Sequence, residues 1–406
     1  MKCSLLITGL VSLAIACQAK MLRLKLEQQG GNPVVDAFDS LVSHSGSDDS
    51  AQTPFSREQL GYPSRHHIPI NKNEYYSQTV TVELGNPPQS FRLGLDLSSG
   101  NSYVVSSECI QIACMGSRMY NASASRTNHR DGRTFTLPDS PQGIISMDTL
   151  YIGGIEVPHQ EFGEALSFRF FGPGLFGFDG SLGLAYDDNR PGSSVTGRFS
   201  FVSSLMASRD VDQPVFTLYL GSTRPNGPTG ELTIGGLDHR RFSGPMIFHN
   251  IVKRGQWVVS LDGATFQNGD RVSRILFDRN ETRAMVNPDY PFIHLANQAA
   301  YHVNERLAAT RKNNREYYHR PCERIEELEP VAITIQRYSY WFTPQEYFIK
   351  SRDGVTCISI FQQIDGTTDD ERVARGYDAV LGAVFLQKYY SAYDYSSHRI
   401  GFGLAT

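Results

Sequence analysis

From about residue 75 onward, hydrophobic and polar residues alternate in short runs that are separated by turn residues. Residues 75–84 alternate in this way, Gly85-Asn86-Pro87-Pro88 follows as a turn, and residues 90–96 form the next run. Alternation with a period of two is typical of half-buried strands, and clusters of Gly and Pro mark the turns between strands. Because few stretches have helical spacing, the sequence predicts an all-β protein.

The same order of segments occurs in each half of the chain. In the first half an apolar run ends in Asp96 and an apolar-apolar-Gly segment follows at Gly183; in the second half a run ends in Asp278 and such a segment follows at Gly382. Internal self-similarity indicates a repeated structural unit. We therefore expect two similar lobes, over residues 74–238 and 239–406.

The first 73 residues differ in character from the rest. Residues 1–19 combine Lys2, an apolar stretch and a small-residue cleavage site, which together are typical of a signal peptide. The apolar run is shorter than the roughly 20 residues that cross a bilayer, so no membrane partner is expected. Residues 20–73 are rich in Gly, Ser, Asp and Gln and are predicted to be a propeptide or linker. The mature protein is expected to be secreted to the extracellular space or vacuolar.

Charge and cysteine content narrow the function classes. The chain has 38 Lys+Arg against 42 Asp+Glu, so it lacks the basic excess that nucleic acid binding requires. Four cysteines lie beyond the signal, and an oxidising compartment permits disulfides between them. Three pairings are possible, and proximity favours Cys109 with Cys114 and Cys322 with Cys357. Zinc binding is the alternative, but the four cysteines lack the Cys-x-x-Cys spacing that zinc fingers have. We expect neither a metal nor another cofactor.

Several separate segments resemble the pepsin-like aspartic proteases (peptidase A1). Residues 178–186 read Phe-Asp-Gly-Ser-Leu-Gly-Leu-Ala-Tyr, which is close to the family's FDGILGLAY strand. Residues 216–238 resemble the segment that joins the family's lobes, and residues 380–402 resemble its closing strands. The resemblance implies a bilobal fold with two β-barrel-like lobes, a cleft between them that binds peptide or protein, and two disulfides where the four cysteines lie. A monomeric zymogen is the corresponding expectation.

The resemblance also implies one catalytic aspartate from each lobe, here Asp96 and Asp278. Two adjacent carboxylates cannot both ionise, so the pair shares one proton, and one carboxyl acts as an acid while the other is a base for water. Water then attacks the peptide carbonyl directly. The implied activity is hydrolysis of peptide bonds at acid pH.

Both aspartates lack the Asp-Thr-Gly sequence that surrounds them in the family. The first precedes Leu97-Ser98-Ser99 and the second precedes Arg279-Asn280-Glu281, so both threonines and both glycines are replaced. Leu97 cannot donate a hydrogen bond, and Arg279 would favour the ionised form of both carboxylates. These supporting residues favour a catalytically impaired or inactive homologue. The alternatives are an active acid endopeptidase that uses Asp96 and Asp278, and an extracellular adhesion or inhibitor-binding module.

Two further features bear on the cleft. The segment in the place of the family's substrate-covering flap contains no tyrosine, and its residues include Thr136, Leu137, Asp139 and Ser140. Asn121-Ala122-Ser123 and Asn280-Glu281-Thr282 are N-glycosylation sequons. Asn121 is the more ordinary site, whereas a glycan on Asn280 would obstruct the cleft. We expect Asn280 to be buried and unmodified.

Overall fold

The fold is seen in a computed structural model. It describes residues 66–72, 78–137, 141–169, 172–185, 200–206, 211, 213–221, 230–253, 255–277, 282–311, 317–351, 353–364 and 376–406, with the side chains of 66–72, 175–176 and 206 excepted. The signal segment 1–19 and most of the segment 20–73 lie outside the described residues. So do six residues of the predicted site, which are Asp139, Ser140, Asp278, Arg279, Asn280 and Glu281.

Strands dominate the described residues, which confirms the all-β prediction. In β2, for example, Val80 and Val82 are buried while Thr81 and Glu83 are exposed, as alternation along a strand requires. The strands of the first half are β1 (His66–Lys72), β2 (Gln78–Leu84), β3 (Gln89–Asp96), β4 (Tyr103–Val105), β5 (His129–Thr136), β6 (Pro141–Ile152), β7 (Ile155–Phe168), β8 (Gly180–Gly183), β9 (Val215–Tyr219) and β10 (Gly230–Ile234).

The second half is built in the same way and contains most of the described helices. Its strands are β11 (Phe242–Asn250), β12 (Val258–Asn268), β13 (Arg271–Leu276), β14 (Arg283–Val286), β15 (Ile293–Leu295), β16 (His319–Pro321), β17 (Val331–Ile335), β18 (Tyr338–Phe342), β19 (Phe348–Lys350), β20 (Thr356–Ser359), β21 (Phe361–Gln363), β22 (Ala379–Leu381), β23 (Tyr389–Asp394) and β24 (Arg399–Ala405). The helices are α1 (Phe201–Met206), α2 (Asn297–Arg306), α3 (Pro344–Tyr347) and α4 (Ala383–Lys388).

One structural motif occurs in both halves. In the first half β3 pairs in parallel with β8, β8 pairs antiparallel with β4, and β4 pairs in parallel with β7. In the second half β14 pairs in parallel with β22, β22 pairs antiparallel with β15, and β15 pairs in parallel with β21. The two halves are therefore related by their strand topology, with β14 in the place of β3.

A long sheet joins the two halves. Its order is β11-β24-β23-β9-β10-β1-β2-β3-β8-β4-β7-β6-β5, so strands from the C-terminal end lie beside strands of the first half. β1, which belongs to the predicted propeptide or linker, pairs with β10 over five residues from His66 to Ile70. Residues 66–72 are thus a strand of this sheet. The remaining described strands form an eight-stranded sheet, with β12 and β14 at its centre, and a three-stranded sheet.

Both predicted disulfides are present. Cys109 is bonded to Cys114, with their Cα atoms 6.3 Å apart, and Cys322 is bonded to Cys357, with their Cα atoms 5.0 Å apart. The four thiols are used in these bonds, which excludes the zinc alternative for them. No helix in the described ranges is long and apolar enough to cross a membrane.

Candidate active site

Asp96 is the last residue of β3, and the loop that follows it packs closely against a glycine of the neighbouring strand. Asp96 lies opposite Gly183 of β8, and its carbonyl accepts a hydrogen bond of 2.7 Å from the amide of Leu184. A Cβ on Gly183 would lie 2.4 Å from the backbone carbon of Gly100. The loop after Asp96 therefore passes directly over Gly183, where only glycine leaves room.

Three hydrogen bonds hold the Asp96 carboxyl. Its Oδ1 accepts from the amide of Ser98 at 2.8 Å, from the hydroxyl of Ser98 at 2.6 Å and from the amide of Ser99 at 3.1 Å. Burial raises the pKa of Asp96 and outweighs the opposing effect of these bonds. Burial and the Asp96 charge also raise the pKa of Tyr103. Leu97 is fully buried in the hydrophobic core, so it supports the loop by packing.

The second half has the same arrangement around a different residue. In the pairing of β14 with β22, Met285 lies opposite Val380 and Val286 lies opposite Leu381. The next residue is Asn287, and its amide donates to the carbonyl of Leu381 at 3.1 Å. Continuing the register by one residue aligns Asn287 with Gly382. The strand register therefore matches Asn287 to Asp96.

The side chain of Asn287 repeats the local bonding of Asp96. It is 5% exposed, and its Oδ1 accepts from the amide of Asp289 at 2.9 Å, just as Asp96 accepts from the residue two positions ahead. The residue between them is Pro288, which has no amide hydrogen to donate. An Asn amide neither ionises nor shares a proton. The described loops thus bring a carboxyl and an amide to the two equivalent positions.

Asp278 itself lies outside the described residues, as do Arg279, Asn280 and Glu281. The residues on either side of them contact β12: the amide of Phe277 donates to the carbonyl of Asp262 at 3.1 Å, and the amide of Leu261 donates to the carbonyl of Thr282 at 2.9 Å. The preceding strand, β13, pairs with β12, whereas β14 pairs with β22. The repeated sequence pattern matches Asp278 to Asp96, whereas the strand register matches Asn287 to Asp96.

A chain of hydrogen bonds connects the two loops across the lobes. The indole Nε1 of Trp257 donates to the carbonyl of Leu184 at 2.8 Å, and the amide of Val286 donates to the carbonyl of Trp257 at 2.9 Å. Leu184 is bonded to Asp96, and Val286 directly precedes Asn287. Trp257 is fully buried, so this connection is shielded from water. The arrangement holds the two loops in a fixed relation.

The hairpin of β5 and β6 carries the described residues of the predicted flap. Thr136 is exposed and lies opposite Gln142, while Leu137 is half-buried and its amide donates to the carbonyl of Pro141 at 3.0 Å. Asp139 and Ser140 lie outside the described residues. Two ion pairs fasten the base of this hairpin to β7, namely Arg130 with Glu164 at 2.8 Å and Arg133 with Glu161 at 2.8 Å.

In the part of the chain that the structure describes, no group of three or more His, Cys, Asp or Glu side chains is placed to hold a metal ion. The acid-base groups at the described positions of the site are the Asp96 carboxyl, with its raised pKa, the phenol of Tyr103 and the exposed carboxyl of Asp289. The position that the register matches to Asp96 holds the amide of Asn287 and no carboxylate.

Comparison with known proteins agrees with this architecture. The family model for eukaryotic aspartyl proteases matches residues 74–405. The chain is 30% identical to vacuolar protease A of Aspergillus fumigatus, over 87% of this chain and 85% of the relative. It is 30% identical to a vacuolar aspartic protease of Candida albicans, over 89% and 82%, and 29% identical to cathepsin D of Bos taurus, over 86% and 91%. This chain belongs to the eukaryotic aspartyl protease family.

Proposed function

We propose that this chain is a catalytically impaired or inactive member of its family that binds peptide or protein in the cleft between its lobes. One observation carries the proposal, which is that Asn287 occupies the position that the register matches to Asp96. Peptide hydrolysis by a carboxyl pair requires two groups that share one proton. Asp96 with an amide opposite it lacks the second titrating group, so it cannot act as acid and base in one cycle.

The surroundings of Asp96 support the same proposal. Leu97 and Pro288 stand where the family has threonine, and neither side chain donates a hydrogen bond to its neighbours. The flap hairpin lacks a tyrosine to order a substrate, and lid closure normally excludes water and completes such a site. The strands that position the Asp96 and Asn287 loops have the same topology in both halves, which supports retention of a peptide-binding cleft between them.

Active acid proteolysis is the alternative, and the identity to relatives named as proteases favours it. On that alternative Asp96 and Asp278 form the pair, with Arg279, Asn280 and Glu281 as an unusual supporting shell. The two proposals differ in one measurable property, which is turnover.

The test is peptide cleavage by the purified mature protein between about pH 2.5 and 6, because a shared-proton mechanism is confined to acid. The Asp96→Ala and Asp278→Ala variants are measured beside it, together with binding of a statine-like transition-state mimic. We expect no cleavage and retained binding of the mimic. Cleavage that is lost in both variants would establish the alternative, and failure to bind the mimic would remove the cleft from the proposal.

Secretion or vacuolar delivery, a monomeric state, activation from a zymogen and N-glycosylation belong to the same proposal. Asn121 suits a glycan because it is exposed, and its Oδ1 accepts from the amide of Ser123 at 3.0 Å, which shapes the sequon as a turn. Asn280 lies outside the described residues. Mass spectrometry of the secreted protein, before and after glycosidase treatment, locates the modified asparagine.

A further inference from the structure

His294 is a buried ionisable residue that the proposed function does not use. It lies in β15, is 5% exposed and is opposite Val380 of β22. Residues that lie opposite each other on neighbouring antiparallel strands have their side chains on the same face of the sheet. His294 therefore shares a face with Val380, which belongs to a small apolar cluster whose other members are Val258, Met285, Ile364 and Tyr377, with Tyr290 packed against them.

The two ring nitrogens of His294 have different surroundings. Nδ1 lies 3.1 Å from the carbonyl oxygen of Gln363, which can only accept, so Nδ1 carries the hydrogen of the neutral ring. Nε2 is buried and has no hydrogen-bond partner in the part of the chain that the structure describes. It is therefore Nε2 that takes up a proton in acid, and its new N–H group would be buried without an acceptor.

The neighbouring elements offer little compensation for a charge on His294. Their titratable and charged groups are Arg283, Asp289, Tyr290, Arg311, Tyr377 and Asp378. The guanidinium of Arg311 binds the side chain of Gln363, and the Asp378 carboxyl accepts from the amide of Arg283 at 3.3 Å. Burial lowers the pKa of His294 to about 4, and the effect that opposes burial is the bond to Gln363 and not a carboxylate.

His294 contacts the loop that holds Asn287. We name residues 287–292 the Asn287 loop, and the ring of Tyr290 in this loop lies edge to face with the ring of His294, with centroids 5.2 Å apart. The Tyr290 amide donates to the carbonyl of Asn287 at 3.3 Å, and the Tyr290 carbonyl accepts from the amide of Ala383 at 2.7 Å. An aromatic ring replaces only part of the hydration that a buried cation loses. A charge on His294 would therefore act on the residue that fixes the Asn287 loop.

We propose that protonation of His294 opens the Asn287 loop, so that the cleft is closed near neutral pH and opens in acid. The neutral ring fits the apolar cluster, whereas the charged ring reaches water only when Tyr290 and the loop move away. A histidine whose pKa is lowered in the closed form binds its proton more tightly in the open form, so a falling pH favours opening. This inference rests on the proposed function only in assigning a bound peptide to the cleft.

The experiment measures hydrogen exchange at the amides of Asn287 and Ala383, which are both bonded when the loop is closed. Protection, corrected for the intrinsic exchange rate, reports opening at pH 7 and at about pH 4.5. With a pKa of about 4 in the closed form and the ordinary value of 6.5 in the open form, protection should fall about fiftyfold between these pH values.

The test variant is His294→Asn, whose side-chain amide keeps a donor for the carbonyl of Gln363 but does not titrate. Its protection should change little with pH. His294→Met, which fills the apolar space without titrating, takes its place if the first variant does not fold. The matched control is His249→Gln, because His249 is also buried with its pKa lowered to about 4 but lies in β11 against Tyr340. The control should keep the acid-induced loss of protection.

Protection that is unchanged in acid would overturn the proposal, and so would an equal fall in the wild type and the His294 variants. Loss of the pH effect in His249→Gln as well would overturn it, because the opening would then be global. A statine-like mimic at about 100 times its Kd should raise protection about a hundredfold at both pH values. If the mimic raises it at neither, the proposed function fails, while the His294 variants still decide this inference.

Discussion

The substitution Asn287→Asp tests whether residue 287 faces Asp96 across the lobes. Asn287 is 5% exposed and already accepts a hydrogen bond from the amide of Asp289, so a carboxylate fits its space and keeps that bond. Burial raises the pKa of a carboxyl by up to several units, and each unit costs about 1.4 kcal/mol at neutral pH. Because the Asp289 amide offsets part of this cost, we expect a destabilisation of about 2 to 3 kcal/mol at pH 7.

The pH dependence has a definite sign. A carboxyl whose pKa is raised by folding contributes most to stability below its unfolded pKa of about 4, and that contribution is lost as the pH rises through the folded pKa. The destabilisation of Asn287→Asp should therefore be present at pH 7 and nearly absent near pH 3.5. Urea unfolding of the variant and the wild type at the two pH values measures it.

A double-mutant cycle with Asp96→Asn isolates the interaction between the two positions. Two carboxylates about 5 Å apart repel by about 3 kcal/mol at an effective dielectric constant of about 20. Replacing Asp96 in the Asn287→Asp background should remove this repulsion, which adds to the cost of burial, and recover that part of the stability at pH 7. Asn304→Asp is the control, because Asn304 is fully buried in α2 and its cost should not depend on Asp96. A coupling below about 0.5 kcal/mol would refute the alignment of residue 287 with Asp96.

Three further substitutions test the rest of the site. Asp96→Asn alone should stabilise the protein at pH 7, because the raised pKa of Asp96 makes its ionised form unfavourable, and the gain should vanish toward pH 4 in urea unfolding. Arg130→Met leaves the fully buried Glu164 without its cationic partner and should lower the free energy of unfolding by about 3 kcal/mol, measured by thermal unfolding. A decrease below about 1 kcal/mol would contradict a tight ion pair. Trp257→Phe leaves the carbonyl of Leu184 without its donor and should cost about 2 kcal/mol while weakening the coupling between positions 96 and 287.

The sequence predicts the fold well because its evidence is local and repeated. Alternation in β2 determines which side chains are buried, and the same pattern recurs along the chain. The disulfide pairing could be predicted from proximity along the chain alone, since Cys109 and Cys114 are five residues apart and Cys322 and Cys357 are 35 apart. Loop closure favours near partners. Features of this kind do not depend on which strands lie side by side.

The second position of the site depends on strand pairing, which local patterns do not specify. The run Ile275-Leu276-Phe277-Asp278 has the expected form of an apolar strand ending in Asp, but Leu276 is 55% exposed in an outer hairpin. The run Ala284-Met285-Val286-Asn287 is buried throughout, and only the register with β22 marks it as the equivalent of β3. A buried parallel strand is apolar on both faces, and that continuous run was the signal available in the sequence.

The supporting scaffold and the chemistry of the site have diverged separately. Gly183 and Gly382 both remain, and a Cβ on either would lie within 2.4 Å of a backbone atom, so the packing of the loops tolerates no change there. Asn287 and Pro288 keep the backbone path and the Asp289 hydrogen bond while removing the titrating group. An amide at this position is the reason we propose binding without efficient cleavage, because proton transfer by a carboxyl pair requires a second titrating group.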